Sequence, residues 1–166
     1  MTKHEQLPVL DFLKRYISDP EAANTTHMRY PNAISKTLQF TIGNVDKQRS
    51  VITAQANPNI HGNQQGIVHG GFICEVADAP IGTAHSTIMQ PDQSFTTIEL
   101  KMNFIRPSWQ TLLRAEAISI YSGKTLTHYQ CQITNEDEKL NAIATSIVMT
   151  LYGQKATAQI REENLL

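Results

Sequence analysis

The sequence predicts an α+β fold in which a long central helix is wrapped by a curved antiparallel sheet of about six strands, preceded by a short N-terminal helix. Two strand-like segments precede a long helical segment, and four strand-like segments joined by short turns follow it. The helical segment is apolar around much of its surface, so other elements must enclose it. The 166 residues suffice for one such domain with a core.

The first 36 residues are predicted to form a short amphipathic helix and a connector. Within "PVLDFLKRYIS", residues 8–18, apolar side chains recur at helical spacing and Pro8 stands near the start. Residues 19–36 are polar and rich in turn formers, which is typical of a connector. The main domain is predicted over residues 37–153. It opens with strands at 37–44 and 50–56, joined by a turn at "NVDKQ".

A buried helix of roughly 18 residues is predicted from "GFICEVADAPIGTAHSTIM", because its apolar positions recur at steps of three and four. These positions are Phe72, Ile73, Val76, Ala77, Ile81, Ala84 and Ile88. Pro80 is the weak point, since proline removes one backbone hydrogen bond. Either a kink at Pro80 or an early end of the helix is expected.

After "QPDQS" the apolar residues alternate with a period of two, which predicts a strand that ends at Arg106-Pro107. Its apolar positions are Ile98, Leu100, Met102 and Phe104. Three further strands are predicted at 111–121, 125–134 and 140–152, with turns at "SGK" and "NEDEK". In the last strand one face carries Ala142, Ala144, Ser146 and Val148. Residues 154–166 are expected to be a loose C-terminal tail.

Composition argues against several classes of function. A formal net charge of -1 gives no electrostatic reason to expect nucleic acid or a membrane surface as partner. The N-terminus lacks the apolar core of a secretory signal, and no apolar run is long enough to span a membrane. Two cysteines, Cys74 and Cys131, cannot supply a disulfide framework or a zinc site. A cytoplasmic protein with reduced thiols is expected.

The pair Gly70-Gly71 stands at the head of the predicted central helix. The first backbone N–H groups of a helix have no internal partner, and the helix dipole adds partial positive charge there. Glycine lets a ligand approach the backbone closely, so this position could bind the oxyanion of an attacked carbonyl. The alternative, which two glycines alone favour, is that the pair only makes a tight turn.

Asp78 lies about two helical turns beyond Gly71 in an apolar helix. A buried carboxylate there would have a raised pKa and would be a better general base. The alternative is that Asp78 is exposed on the wet side of the helix, near Glu75 on the same face. Spacing alone leaves both open. Cys74 is expected to be core, and no histidine pair has the spacing of a zinc site.

Several motifs occur in a single order over residues 55–153: "N-x5-HGG" at 63–71, "HGG-x6-D" at 69–78, and the strand "TTIELKMNFIRP". The segments "YSGKTLTHYQCQIT" and "KLNAIATSIVMTLYG" follow. This pattern resembles the hotdog-fold acyl-CoA thioesterases, in particular the phenylacetate-pathway (PaaI-like) branch of the 4-hydroxybenzoyl-CoA thioesterase superfamily. Because the motifs also fit the order of helix and strands deduced above, the resemblance is specific.

The resemblance implies a homodimer, often paired into a homotetramer, with the active site at the dimer interface. One subunit supplies Gly70, whose N–H polarises the thioester carbonyl, with Asn63 assisting and His69 shaping the loop. The other subunit supplies Asp78, as the base that activates water or as the nucleophile. Thr97 falls where relatives carry a hydroxyl that helps to hold the water. No cofactor is implied, because coenzyme A is part of the substrate.

Substrate binding is assigned to Gly71 at the helix start, and the candidates for binding the coenzyme A phosphates are the cations Arg106, Lys124 and Lys101 near strand ends. A non-catalytic acyl-CoA-binding sensor or assembly module on the same fold is the main alternative, since fold alone does not decide function. A hydratase would need an acid and a histidine at a shorter spacing than Asp78 and His85 have. The acyl group itself is not indicated by the sequence.

Overall fold

One six-stranded antiparallel sheet packs against one long helix in the computed structural model, which describes residues 6–22, 24–154 and 156. The helices are α1 (Val9–Ser18), α2 (Ala33–Thr37), α3 (Pro58–His61) and α4 (Gly70–Ser86). The strands are β1 (Thr41–Asp46), β2 (Arg49–Ala56), β3 (Gln93–Phe104), β4 (Thr111–Ser122), β5 (Leu126–Thr134) and β6 (Leu140–Tyr152). Most of the predicted tail at 154–166 lies outside the described residues.

The strands follow the order β1-β2-β4-β5-β6-β3, and every neighbouring pair is antiparallel. Helix α4 contacts β2, β3, β4, β5 and β6, so the curved sheet wraps around it. The core forms between them and includes the completely buried Val76, Ala77 and Ile81 of the helix. The predicted fold class is therefore confirmed.

The central helix passes through Pro80 without ending. Helix α4 has 17 residues and continues to Ser86, so the alternative of an early end at Pro80 is wrong. The buried Ser50 hydroxyl of β2 donates to the Pro80 carbonyl oxygen at 2.7 Å. Because most helix stability in proteins comes from packing of the apolar face, burial of Val76 and Ile81 offsets the backbone bond that the proline lacks.

Two short helices depart from the elements predicted before the central helix. Residues 37–40 were expected to begin a strand, but Thr37 ends α2 and β1 begins at Thr41. The Asn32 side chain caps α2 by accepting from Ser35 N at 2.9 Å. Helix α3 was not predicted, although Asn57 followed by Pro58 is a typical helix start.

The N-terminal segment has its own small core beside the sheet. Val9, Phe12 and Leu13 of α1 pack against Val45 of β1, which confirms the predicted amphipathic helix. Strands β4, β5 and β6 agree with prediction to within about one residue, as is usual at element ends, whereas β3 begins earlier than predicted, at Gln93. No helix among the described residues is long and apolar enough to cross a membrane.

Candidate active site

A β-bulge in β3 turns Thr97 towards the central helix. Thr97 pairs with the buried Val148 of β6, whereas the next registered pair is Glu99 with Ile147, so Ile98 is the extra residue. Residues paired across neighbouring strands share a face, so Thr97 faces the core and Glu99 faces outwards. The prediction that Ile98 and Leu100 lie on the same face of the strand is therefore wrong. Ile98 is 50% exposed.

The bulge brings a hydroxyl and a carboxylate together. Thr97 Oγ1 donates to Asp78 Oδ1 at 3.2 Å, joining the middle of β3 to the middle of α4. Asp78 is half-buried, and this burial raises its pKa, while the hydrogen bond from Thr97 partly opposes the rise. Glu75, one helical turn earlier, also has a raised pKa because of burial and the neighbouring charge of Asp78.

Asp78 and Thr97 line a cavity of about 270 Å³. Helix α4 contributes one wall, and β3 contributes Phe95 and Thr97. The remaining wall comes from the connector before the main domain. The complete lining is Met28, Arg29, Tyr30, Asn32, Ile34, Glu75, Asp78, Ala79, Gly82, Thr83, Phe95 and Thr97.

At the head of α4 the two glycines have different surroundings. His69 is the N-cap, and its Nδ1 accepts from Gly71 N at 2.8 Å, so the Gly71 N–H is already bound within the chain. The Gly70 N–H is the first of the helix and has no intrahelical partner. A side-chain carbon at Gly70 would lie 3.3 Å from Phe104 Cζ, so the close approach of this ring favours glycine.

Asn63 lies beside Gly70 in a second cavity of about 310 Å³. Its Oδ1 accepts from Gln65 N at 2.9 Å and from Ile67 N at 3.4 Å, which orders the loop before α4. Its Nδ2 donates to none of the described residues and is available to a ligand. Arg106 lines the same cavity, and its Nη1 donates to Leu140 O at 2.6 Å.

The predicted site residues therefore fall into two groups within one subunit. Asp78 and Thr97 line the first cavity, while Gly70, Asn63 and Arg106 line the second. Asp78 follows Gly70 by eight positions in the helix, which corresponds to about 12 Å along the axis. Lys124 joins neither group, because it lies in the turn between β4 and β5, at the end of the sheet opposite Arg106.

Sequence reasoning missed the contribution of the connector. Met28, Tyr30 and Ile34 line the Asp78 cavity, yet their positions in a turn-rich segment carried no signal of it. It also missed Asn141, which is 3% exposed and lines the second cavity. Asn141 Nδ2 donates to Ser108 Oγ at 2.9 Å and so holds the loop that follows β3.

The surroundings of two other side chains of α4, His85 and Cys74, indicate structural rather than catalytic roles. His85 is completely buried, and its two ring nitrogens lie 3.2 Å from Tyr129 Oη and 3.0 Å from Thr150 Oγ1. Burial lowers the His85 pKa to about 4. Burial also raises the pKa of the Cys74 thiol, which makes it a poor nucleophile. The described residues contain no cluster of three or more histidine, cysteine or acidic side chains that could hold a metal ion.

Comparison with known proteins shows similarity to one family over part of the chain. A family model described as "Thioesterase superfamily" matches residues 65–142, which include the head of α4, Asp78 and Thr97. This stretch makes up just under half of the chain and is similar to the thioesterase superfamily. A curated relative, the 1,4-dihydroxy-2-naphthoyl-CoA hydrolase of Listeria monocytogenes, is 29% identical over 113 residues, or 67% of this chain and 89% of the relative. The matched family and the name of this relative both agree with the predicted thioester hydrolase.

Solved structures of similar proteins agree with the architecture described above. The PaaI protein from the phenylacetic acid degradation operon of E. coli aligns with a TM-score of 0.68 and 22% identity, covering 74% of this chain and 87% of that one. A thioesterase from Haemophilus influenzae aligns with a TM-score of 0.68 and 19% identity, and the alignment covers 74% of this chain and 85% of that one. The predicted resemblance to PaaI-like hotdog proteins is confirmed for the fold.

Proposed function

We propose that this protein is a member of the thioesterase superfamily and an acyl-CoA thioesterase, which converts an acyl- or aryl-CoA thioester and water into the free acid and coenzyme A. The observation that carries the proposal is the hydrogen bond between Thr97 and the half-buried Asp78 in a cavity large enough for a small organic group. The name of the Listeria relative, a CoA-thioester hydrolase, supports the same class of substrate.

Asp78 acts as the general base in this proposal. Its carboxylate accepts a proton from water while the water oxygen attacks the thioester carbonyl carbon. The raised pKa strengthens Asp78 as a base, and the Thr97 hydroxyl fixes the orientation of the carboxylate and helps to hold the water. When the tetrahedral intermediate collapses, the carbon–sulfur bond breaks and the thiolate takes the proton back from Asp78.

The negative charge on the carbonyl oxygen is stabilised at the start of α4. The free N–H of Gly70 donates to this oxygen, and Asn63 Nδ2 assists. The Gly71 N–H and His69 fix the position of the helix start, since they are bonded to each other. Donors must lie about 3 Å from the oxyanion, so Gly70 cannot serve its own subunit's Asp78 about 12 Å away. The start of α4 therefore comes from a second subunit.

The proposed assembly is a homodimer, which can pair again into a homotetramer. Strand β3 is an edge of the sheet in the described part of the chain, and an edge strand can pair with a second copy and extend the sheet. Arg106, near the end of this strand, is proposed to bind the coenzyme A phosphates, and Lys124 remains a second candidate. No further cofactor is part of the proposal. A cytoplasmic location is supported by two free thiols.

A non-catalytic acyl-CoA-binding module is the second candidate. The split of the site between two cavities in one subunit is compatible with binding alone. A raised pKa at Asp78 favours catalysis, because a buried carboxylate costs folding energy that binding of a thioester does not require. A hydratase is disfavoured, since both ring nitrogens of His85 are occupied in the core.

Release of free thiol from a panel of phenylacetyl, short, medium and long acyl-CoA thioesters tests the proposal. We expect the wild type to hydrolyse at least one of them and Asp78→Asn to lose about 100-fold or more in kcat. Burial penalises the charged form of Asp78, so the neutral variant should unfold at the same or a higher temperature at pH 7. Tight binding of these thioesters without any turnover by the wild type would contradict the proposal and favour the binding module.

A further inference from the structure

The connector before the main domain forms one wall of the Asp78 cavity. Residues 28–34, here called the connector wall, contribute Met28, Arg29, Tyr30, Asn32 and Ile34 to the lining. They lie outside residues 65–142, which match the family model. This part of the cavity is therefore not described by the features that define the superfamily.

The connector wall is attached to the central helix by a hydrogen bond. The Tyr30 hydroxyl donates to Ser86 Oγ, which in turn donates to Thr83 O at 2.6 Å. The Tyr30 ring packs on Phe12 of α1, with ring centroids 6.0 Å apart. Burial raises the Tyr30 pKa to about 12, so the hydroxyl keeps its proton at neutral pH. These contacts fix the wall against α4, next to the reacting groups.

Ile34 is an apolar side chain that is not part of the hydrophobic core. It lies on α2, is 43% exposed and lines the cavity. Helix α4 also lines the cavity with Ala79 and Gly82, and β3 lines it with Phe95. Asp78 therefore shares its cavity with apolar side chains from both the connector wall and the main domain, as expected for a site that holds the apolar part of a ligand.

We propose that the connector wall determines which acyl groups the site accepts, with Ile34 in contact with the acyl group of a thioester whose carbonyl lies at Asp78. This inference rests on the proposed function. The cavity of about 270 Å³ lies just below the range for complete ligand sites, about 300 to 1,000 Å³, which agrees with a site that a second subunit completes.

Two substitutions change the cavity in opposite directions. Ile34→Ala removes part of the connector wall and leaves the core intact, since Ile34 is not buried. Gly82→Ala adds a methyl group to the part of the same cavity that α4 lines. The added carbon would lie 3.7 Å from Phe95 Cε2, which is an ordinary contact that requires no rearrangement. Ile60→Ala is the matched control, because Ile60 is 74% exposed on α3 and does not line this cavity.

The measured quantity is the ratio of kcat/KM for decanoyl-CoA to kcat/KM for phenylacetyl-CoA. We expect Ile34→Ala to raise this ratio about 10-fold or more and Gly82→Ala to lower it, with Ile60→Ala unchanged, since each methylene in a pocket changes discrimination by about 10-fold or more. A ratio that stays at the wild-type value in both cavity variants would overturn the inference, even if all proteins hydrolyse thioesters.

The inference about the connector wall can also be tested if the protein is not a thioesterase. If the wild type hydrolyses no thioester in the panel, the dissociation constants of decanoyl-CoA and phenylacetyl-CoA replace kcat/KM in the same ratio. A shift of this ratio in opposite directions by Ile34→Ala and Gly82→Ala would still support the connector wall as the acyl contact. Equal ratios in all four proteins would overturn it.

Discussion

At the residue scale, the hydroxyl of Thr97 affects the pKa of Asp78, the proposed catalytic base. Its hydrogen bond stabilises ionised Asp78 and so lowers a pKa that burial raises. We expect Thr97→Val, which keeps the shape but loses the hydroxyl, to raise the Asp78 pKa further. Since the base must be ionised, the acid limb of the pH profile of kcat/KM should move to higher pH. Rates measured from acid to neutral pH check this shift.

Thr96→Val is the matched control for that prediction. Thr96 is the preceding residue of β3 and pairs with Met149, so its side chain faces away from α4. Its pH profile should superimpose on that of the wild type. An acid limb of Thr97→Val that stays in place or moves to lower pH would show that the hydroxyl does not stabilise the Asp78 carboxylate.

The roles of single residues could be predicted from the sequence to different extents. Gly70 and Asp78 stood out because glycine and a carboxylate are unusual at their positions in an apolar helix. Thr97 was placed only by resemblance, since strict alternation of β3 would put it on the face opposite Leu100. The bulge that reverses this depends on pairing with β6, which local sequence does not specify.

At the scale of elements, the C-terminal end of α4 is held in the core by a neutral histidine. His85 has a pKa near 4 in the folded protein, compared with 6.5 for an unperturbed histidine. The folded state therefore binds fewer protons than the unfolded state between these values, so stability falls as the pH falls from about 6.5 to 4. We expect a loss of about 3 kcal/mol over this window. Urea unfolding at several pH values measures it.

Replacement of the titrating group separates this effect from that of the carboxylates. His85→Asn is smaller and should lower stability at pH 7, because it leaves a cavity and weakens the contacts to Tyr129 and Thr150. Its free energy of unfolding should nevertheless depend less on pH between 6.5 and 4 than that of the wild type. An unchanged slope in this variant would show that His85 does not cause the acid sensitivity.

Elements were predictable from sequence where their own pattern was long and regular. Helix α4 and strands β4, β5 and β6 follow hydrophobic periodicity over nine residues or more. The short α2 and α3 were missed because one turn of helix depends on its cap rather than on periodicity. Continuation through Pro80 depends on burial against the sheet, including the bond from Ser50, which a local pattern does not contain.

At the scale of the whole molecule, one subunit keeps the two parts of the proposed site apart. The proposed base Asp78 and its partner Thr97 lie at the middle of α4 and on β3, and the Gly70 N–H lies at the start of α4, about 12 Å from Asp78 along the axis. Large apolar side chains are exposed around the end of the edge strand β3, among them Phe104, Ile105 and Trp109. An exposed apolar area beside an edge strand is typical of an interface. We therefore expect each complete site to combine two subunits.

Gly70→Pro removes the proposed carbonyl-binding N–H without interrupting the helix. Proline is favoured at the first position of a helix, and His69 has φ -66° and ψ 138°, which are compatible with a following proline. Gly70→Ala is the matched control, because it adds the same carbon next to Phe104 but retains the N–H. We expect Gly70→Pro to lose about 100-fold or more in kcat relative to Gly70→Ala.

The most direct test of the shared site mixes Asp78→Asn and Gly70→Pro subunits. Each variant alone should be nearly inactive, whereas a mixed dimer contains one site with both Asp78 and Gly70 intact. Equal mixing after unfolding and refolding makes half of the dimers mixed, so activity should recover to about a quarter of the wild-type value. If mixed dimers form, as native mass spectrometry would show, and activity does not rise above that of the separate variants, Asp78 and Gly70 do not act across the subunit interface.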